Sequence, residues 1–367
     1  LIITKIIINR NMKAKLLLNN GICFEGTAFG YEKPAVGEVV FCTAMTGYTE
    51  SLTDATYAGQ ILVLTYPLVG NYGVPSHEVK EYGLEKFFES DKIQVRGLIV
   101  TDYSEEYSHW NAVETLDKWM KREQIPGITG IDTRALTKTL RENGVISGQI
   151  IIGNDNPQSQ TENYEANNYV ETVSCKQVIR YNESANKKVV LVDCGTKYSL
   201  IRNLINHNVE IIRVPYDYNF STLTYDAVII SNGPGNPNIY TKTIANINNA
   251  MNVNKPILGI GLGNQLLGLA AGAKVEKLKF GHRGANQPVR LVESNNCYIT
   301  NQNTGYTITN NSLPEDWNVM FINMNDNTID GICHKTKPWK GIQFTPESFS
   351  RGYQKNNLID DFLNLIK

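Results

Sequence analysis

The chain has 367 residues, 41% hydrophobic and 19% charged, with a net charge of −1. That length favours two or three domains and is ample for two cores, while the near-neutral charge argues against a nucleic-acid or membrane partner. Six scattered cysteines (Cys23, Cys42, Cys175, Cys194, Cys297 and Cys333) form no CxxC pair, which argues against structural zinc or a disulfide framework and fits reduced thiols in a cytoplasmic setting.

The N-terminal run "LIITKIIINR" is short, interrupted by Lys5 and without a small-residue cleavage site, so it does not read as a signal peptide. Residues 1–11 are expected to be an extension outside the fold. From Met12 to residue 152, short β-like runs alternate with glycine and polar turns: "AKLLL", "ICFEGTAFG", "GEVVFCTAM", "GQILVLTYP" and "VRGLIVTDY". The stretch "WNAVETLDKWMKREQI" places Val113, Leu116, Trp119 and Met120 at helical spacing. A second helix is expected over "DTRALTKTLRENG", opened by Asp132 and closed by Gly144. These elements predict a mixed α/β domain. Residues 153–187, rich in Asn, Ser, Gln and Glu, read as a linker with some local order. Residues 188–367 open on a strand, a glycine turn, an amphipathic helix and another strand, the beginning of a doubly wound α/β domain whose ligands sit at the carboxyl ends of its strands.

Two glycine loops follow strands in that domain. In "SNGPGNP" (231–237), Gly233 and Gly235 let the backbone turn tightly and point N–H groups outward, which suits an anion or oxyanion. In "PILGIGLGNQLLGLAAG" (256–272), an apolar strand makes a sharp turn into a helix, the pattern of a nucleophile elbow. Its GxGxG spacing is not the dinucleotide fingerprint, and no acidic residue ends a following strand at the usual distance; no cofactor and no metal is expected. At the apex, where Ser or Cys carries the chemistry, stands Gly261.

Together the loops resemble the class I, triad-type glutamine amidotransferase domain, whose signatures are S-N-G-P-G-x-P, G-I-C-x-G-H-Q and a late H-P-E. The segments 37–73, "GIDTRALTKTLRENG" (130–144), "KFGHRGANQPV" (279–289) and "TNQNTGYTI" (300–308) are similar to the small subunit of carbamoyl phosphate synthetase, from about Met12 to the C-terminus. The resemblance implies a subunit that hydrolyses glutamine and passes ammonia through a tunnel to a large synthetase subunit, which uses bicarbonate and ATP for pyrimidine or arginine biosynthesis. By motif match the substrate contacts are Thr56, Gly233, Gly235, Leu262, Gln265, Asn303, Gly305 and Tyr306, with Thr56 replacing a Ser and Tyr306 a Phe. The oxyanion hole falls to the backbone N–H groups of Leu262 and Gly235.

The same match exposes four losses. Gly261 stands at the nucleophile, Thr345 at the general base, Asn264 at the His after the elbow and Thr304 at the His before Gly305. Only Glu347, the orienting carboxylate, remains. Loss of nucleophile or base alone costs about 10⁶ in kcat, so the expectation is a glutaminase-dead small subunit, a structural or regulatory partner of an ammonia-using synthetase. Two alternatives stand beside it: an active subunit using a stand-in such as Cys194, and a glutamine-binding sensor. Cys333 and His334 are neighbours on a strand and face opposite ways. None of His77, His109, His207, His282 and His334 falls in a base position, and His282 is expected to be structural.

Overall fold

A computed structural model describes residues 12–153, 155, 163–346 and 358–366. The expected extension, residues 1–11, lies outside the described residues.

The first half closes into a seven-stranded barrel in the order Lys13–Leu18, Ile146–Ile152, Ala35–Cys42, Gln60–Leu64, Gly97–Ile99, Pro126–Thr129 and Cys23–Gly30. Alternation fills two cores from the same strands. Leu16, Ile61, Ile99 and Ile150 pack with Leu136 and Leu140 of the helix Thr133–Asn143. Val40, Leu62 and Leu98 pack with Trp119 and Met120 of the helix Leu116–Arg122. Asp132 caps the first of these helices by accepting from the Ala135 N–H, satisfying an orphan donor. The other helix is shorter than its sequence suggests. Ala112–Glu114 is a strand paired with Val74–Pro75, Val113 is exposed, and the Thr115 hydroxyl accepts from the Lys118 N–H. That N-cap starts the helix one residue before Leu116, so the apparent spacing from Val113 spans two elements.

The second half is built on a ten-stranded mixed sheet. Five of its strands (Val209–Pro215, Lys187–Asp193, Ala227–Ile230, Ile257–Ile260 and Trp339–Ile342) run parallel side by side. Antiparallel strands extend it through Ile329–His334 to the long hairpin Val275–Leu291 and Cys297–Ile308. Both faces are covered. Thr241–Met251 and Leu262–Ala271 pack on one, and Tyr198–Asn206 and Leu358–Leu363 on the other. The chain is therefore a mixed α/β protein whose second half has the expected doubly wound parallel core. Among the described residues no helix is long and apolar enough to cross a membrane.

Residues expected as a linker are more ordered than their composition implies. Tyr169–Val173 is helical with Val170 fully buried, and Ile179–Tyr181 pairs antiparallel with Val209–Pro215 as the edge of the large sheet. An edge strand borrows its stability from the neighbour it pairs with, so few apolar residues of its own suffice.

The two halves meet at the carboxyl ends of the parallel strands. There Asp54 of the barrel pairs with Lys197 at 3.0 Å, Asn303 donates to Asp54 at 3.3 Å, and Lys277 pairs with Glu38 at 2.8 Å.

Candidate active site

The elbow is built from the strand Ile257–Ile260, Gly261 and the helix Leu262–Ala271. Gly261 has φ 57° and ψ −111°, a backbone conformation that costs little for glycine and strains other residues. Two residues on, a Cβ on Gly263 would lie 2.1 Å from the Ile230 carbonyl oxygen, so close strand–helix packing explains that glycine without any chemistry.

The side chain of Asn232, from the neighbouring glycine loop, fills the space above Gly261. A Cβ on residue 261 would stand 2.1 Å from its Oδ1 and 2.4 Å from its Cγ. The Leu262 N–H donates to Asn232 Oδ1 at 2.9 Å, and Asn232 Nδ2 donates to Thr56 Oγ1 at 3.3 Å. The other expected oxyanion donor is also engaged: the Gly235 N–H donates to the Tyr164 hydroxyl at 3.2 Å. Sequence reasoning missed both partners. Asn232 stands inside a quoted motif, but its rotamer depends on what residue 261 lacks. Tyr164 stands in the supposed linker, 71 residues from Gly235, and no local signal marks it.

All eight positions carried over as substrate contacts line one cavity, together with Tyr164, Asn232, Lys277 and Arg283. Gln265 turns its amide inward, donating to Thr304 Oγ1 at 3.0 Å and to the Tyr306 carbonyl at 2.8 Å. The cavity's free volume is only about 20 Å³, about enough for one water molecule.

Among the described residues, the positions matched to the base and its neighbours carry no base. Thr345 is buried, and its hydroxyl donates to the Asn301 carbonyl at 3.2 Å. Asn264 is fully buried and donates to Gln343 Oε1 at 3.1 Å. Thr304 donates to the Tyr306 carbonyl at 3.0 Å. Glu347 lies outside the described residues. Stand-ins fare no better. Cys194 is buried in the apolar core under the sheet, and burial pushes its thiol well above the usual range, leaving it protonated. Cys333 is half-buried with a raised pKa caused first by burial. His334 beside it reaches Asp316 at 3.0 Å instead. His282 is buried, with its Nε2 2.7 Å from Asp326 Oδ2.

Thr56 is the one hydroxyl at the cavity held by a carboxylate, donating to Asp54. Burial opposes the Asp54 charge, but Lys197 and the Thr56 hydrogen bonds overcome it and hold this carboxyl below its ordinary range. A carboxylate so stabilised is a weak base.

A second cavity, about 280 Å³, lies beside the first at the junction of the two halves. Asp54, Glu89, Lys197, Cys42 and Thr345 line it, and Asn303 lines both.

Comparison with known proteins agrees with this architecture. Residues 16–150 match the family model described as carbamoyl-phosphate synthase small chain, CPSase domain, and residues 190–365 match class-I glutamine amidotransferase. The chain is 41% identical to the carbamoyl phosphate synthase small chain of Pyrococcus furiosus, over 97% of this chain and 98% of that one. It is 42% identical to the arginine-specific small chain of Saccharomyces cerevisiae, covering 97% and 89%. Against the multifunctional protein pyr1-3 of Dictyostelium discoideum, identity is 45% over 98% of this chain, which spans only 17% of that protein; against the multifunctional protein CAD of Squalus acanthias the chain spans 16%. With the small-chain domain and the amidotransferase domain in one continuous match, the chain belongs to the carbamoyl phosphate synthase small-chain family.

Proposed function

We propose that this chain is a small subunit that does not hydrolyse glutamine, and that it serves as a structural and regulatory partner of a large synthetase chain fed by free ammonia. One observation carries this reading: among the described residues no nucleophile and no base meet at the elbow, since Gly261 has no side chain and Thr345 is a buried alcohol. Opening an amide by the triad route needs a thiolate, a base that takes its proton and a group that orients the base. Here the first two are missing. The backbone donors of an oxyanion hole give roughly 10³–10⁴ over water without them, far too little to supply a synthetase.

The test is reconstitution with the large chain. Carbamoyl phosphate forms from ammonium and not from glutamine; glutamine-driven product, or release of glutamate, overturns the reading. Gly261→Cys alone restores nothing, because Thr345 cannot take a proton from the new thiol.

A glutamine sensor is the second reading, favoured by the convergence of all eight contact positions on one cavity. The 20 Å³ left in that cavity weighs against it. Calorimetry with L-glutamine separates the two, since a sensor releases heat and a closed site does not.

A further inference from the structure

We infer that Asn232 is a built-in occupant of the elbow, a carboxamide of the chain's own held where a substrate carboxamide would sit, with Gly261 as its socket. This deepens the reading of a non-hydrolysing site and rests on it.

The geometry leaves the side chain no substitute partner at residue 261. Any Cβ there would overlap Asn232 Oδ1 at 2.1 Å, so the observed rotamer and a nucleophile cannot coexist. The Asn belongs to the S-N-G-P-G-x-P motif itself, so what glycine at 261 admits is this rotamer and not a new residue. The hydrogen bonds follow the pattern that a bound amide would use. The Asn232 carbonyl oxygen takes the Leu262 N–H at 2.9 Å, a donor at the start of a helix with no intrahelical partner. Gly261, the N-cap of that helix, has no side chain to satisfy it. The Asn232 amide nitrogen reaches Thr56 of the barrel at 3.3 Å. The second oxyanion donor, Gly235 N–H, is taken by Tyr164 at 3.2 Å. Tyr164 is itself fixed by stacking on Tyr169, with ring centroids 4.7 Å apart. Both N–H groups expected to polarise a substrate carbonyl are therefore occupied from within, and the roughly 20 Å³ that remains admits glutamine only if these side chains move aside.

The claim predicts a specific amide. In hydrogen-exchange measurements on the full chain, Asn232→Ala makes the Leu262 N–H exchange about tenfold faster or more, since that donor loses its acceptor. Asn232→Asp keeps an acceptor oxygen and leaves the exchange near wild type, and it also reads the site if the alanine variant folds poorly. Calorimetry with L-glutamine gives no heat with the wild-type chain and measurable binding with Asn232→Ala/Tyr164→Phe. Three results overturn the inference: Leu262 exchange unchanged in Asn232→Ala, a wild-type chain that binds glutamine as well as the double variant, or a double variant that still excludes it. Glutamate release by the wild-type chain is a separate outcome, and it sinks the non-hydrolysing reading instead.

Discussion

The two cavities that share Asn303 have opposite fates. The elbow cavity is nearly full: the Leu262 and Gly235 N–H groups are taken by Asn232 and Tyr164, and the Gln265 amide by Thr304 and the Tyr306 carbonyl. The junction cavity keeps about 280 Å³ and a wall of charges, with Asp54 and Lys197 in contact and Glu89 beside them. Charged groups line both cavities, Glu38, Lys277 and Arg283 at the elbow, but there a short side chain, Asn232, reaches a backbone donor and fills space whose emptiness would forfeit dispersion contacts. The wall of the junction cavity is held by the buried pair Asp54–Lys197, whose charges need each other and their hydrogen bonds in place. The space above Gly261 is filled locally by Asn232, and the neighbouring cavity stays open.

The largest effect that could break this contrast lies at Lys197. Replacing it by Met strands Asp54, 5% exposed, without its cation, and removes the charge that partly counters burial of Glu89. Burial already pushes the Glu89 carboxyl up from its ordinary range. Breaking a buried pair by removing one partner costs about 3–5 kcal/mol. Chemical denaturation of Lys197→Met should show a loss of that size at neutral pH. A change below about 1 kcal/mol would place these charges in effective contact with solvent and remove the distinction drawn between the cavities.

What the sequence makes legible divides along the same line. The elbow, the two glycine loops and the capped helix at Asp132 are local, and each is spelled in consecutive residues by glycine, a cap or a period. The absence of sulfur at residue 261 is equally plain. What fills the absence is not, because the Asn232 rotamer and the Tyr164 contact depend on residues 29 and 71 positions away. The helix expected from Trp110 begins only at Leu116 for a related reason: an exposed strand residue, Val113, happens to fall in register with Leu116. The stretch 169–181 looks like a linker because an edge strand and a short helix bury few side chains of their own, yet Val170 is fully buried.

A medium effect sharpens the account of the junction wall. Gln302 lines that cavity and donates to Asp330 at 2.6 Å, and Asn323 donates to the same oxygen at 2.9 Å. Burial dominates at Asp330 and pushes its pKa up to about 6, against opposition from His282 and these two amides. A carboxyl raised in the folded state contributes stability that is present below its unfolded pKa, near 4, and lost as pH rises through about 6. Asp330→Asn keeps an oxygen for both amides and removes the ionisation. Its advantage at pH 7 should be about 3 kcal/mol from a carboxyl raised from 3.8 to about 6, a value that already contains the attraction to His282. Denaturation at pH 4, 5, 6 and 7 checks this: the gap between wild type and variant grows across the window. A constant gap would mean that Asp330 does not titrate there.

The smallest effect returns to the elbow and asks whether its last free volume is dry. Tyr306 is 6% exposed and lines the 20 Å³ cavity, and its hydroxyl has no hydrogen-bond partner among the described residues. A buried hydroxyl left unpaired costs about 1–3 kcal/mol, and the ring fills the same space without it. Tyr306→Phe should therefore stabilise the chain by about 1 kcal/mol in a dry cavity. A water bonded to the hydroxyl would offset that gain, because a bridging water is nearly as good a partner as a protein group. Destabilisation of similar size would mean the cavity holds an ordered water network, in which case the elbow is a solvated pocket that Asn232 only narrows. The sign of this one substitution thus tells whether the chain's own carboxamide has replaced the substrate or merely stands in its doorway.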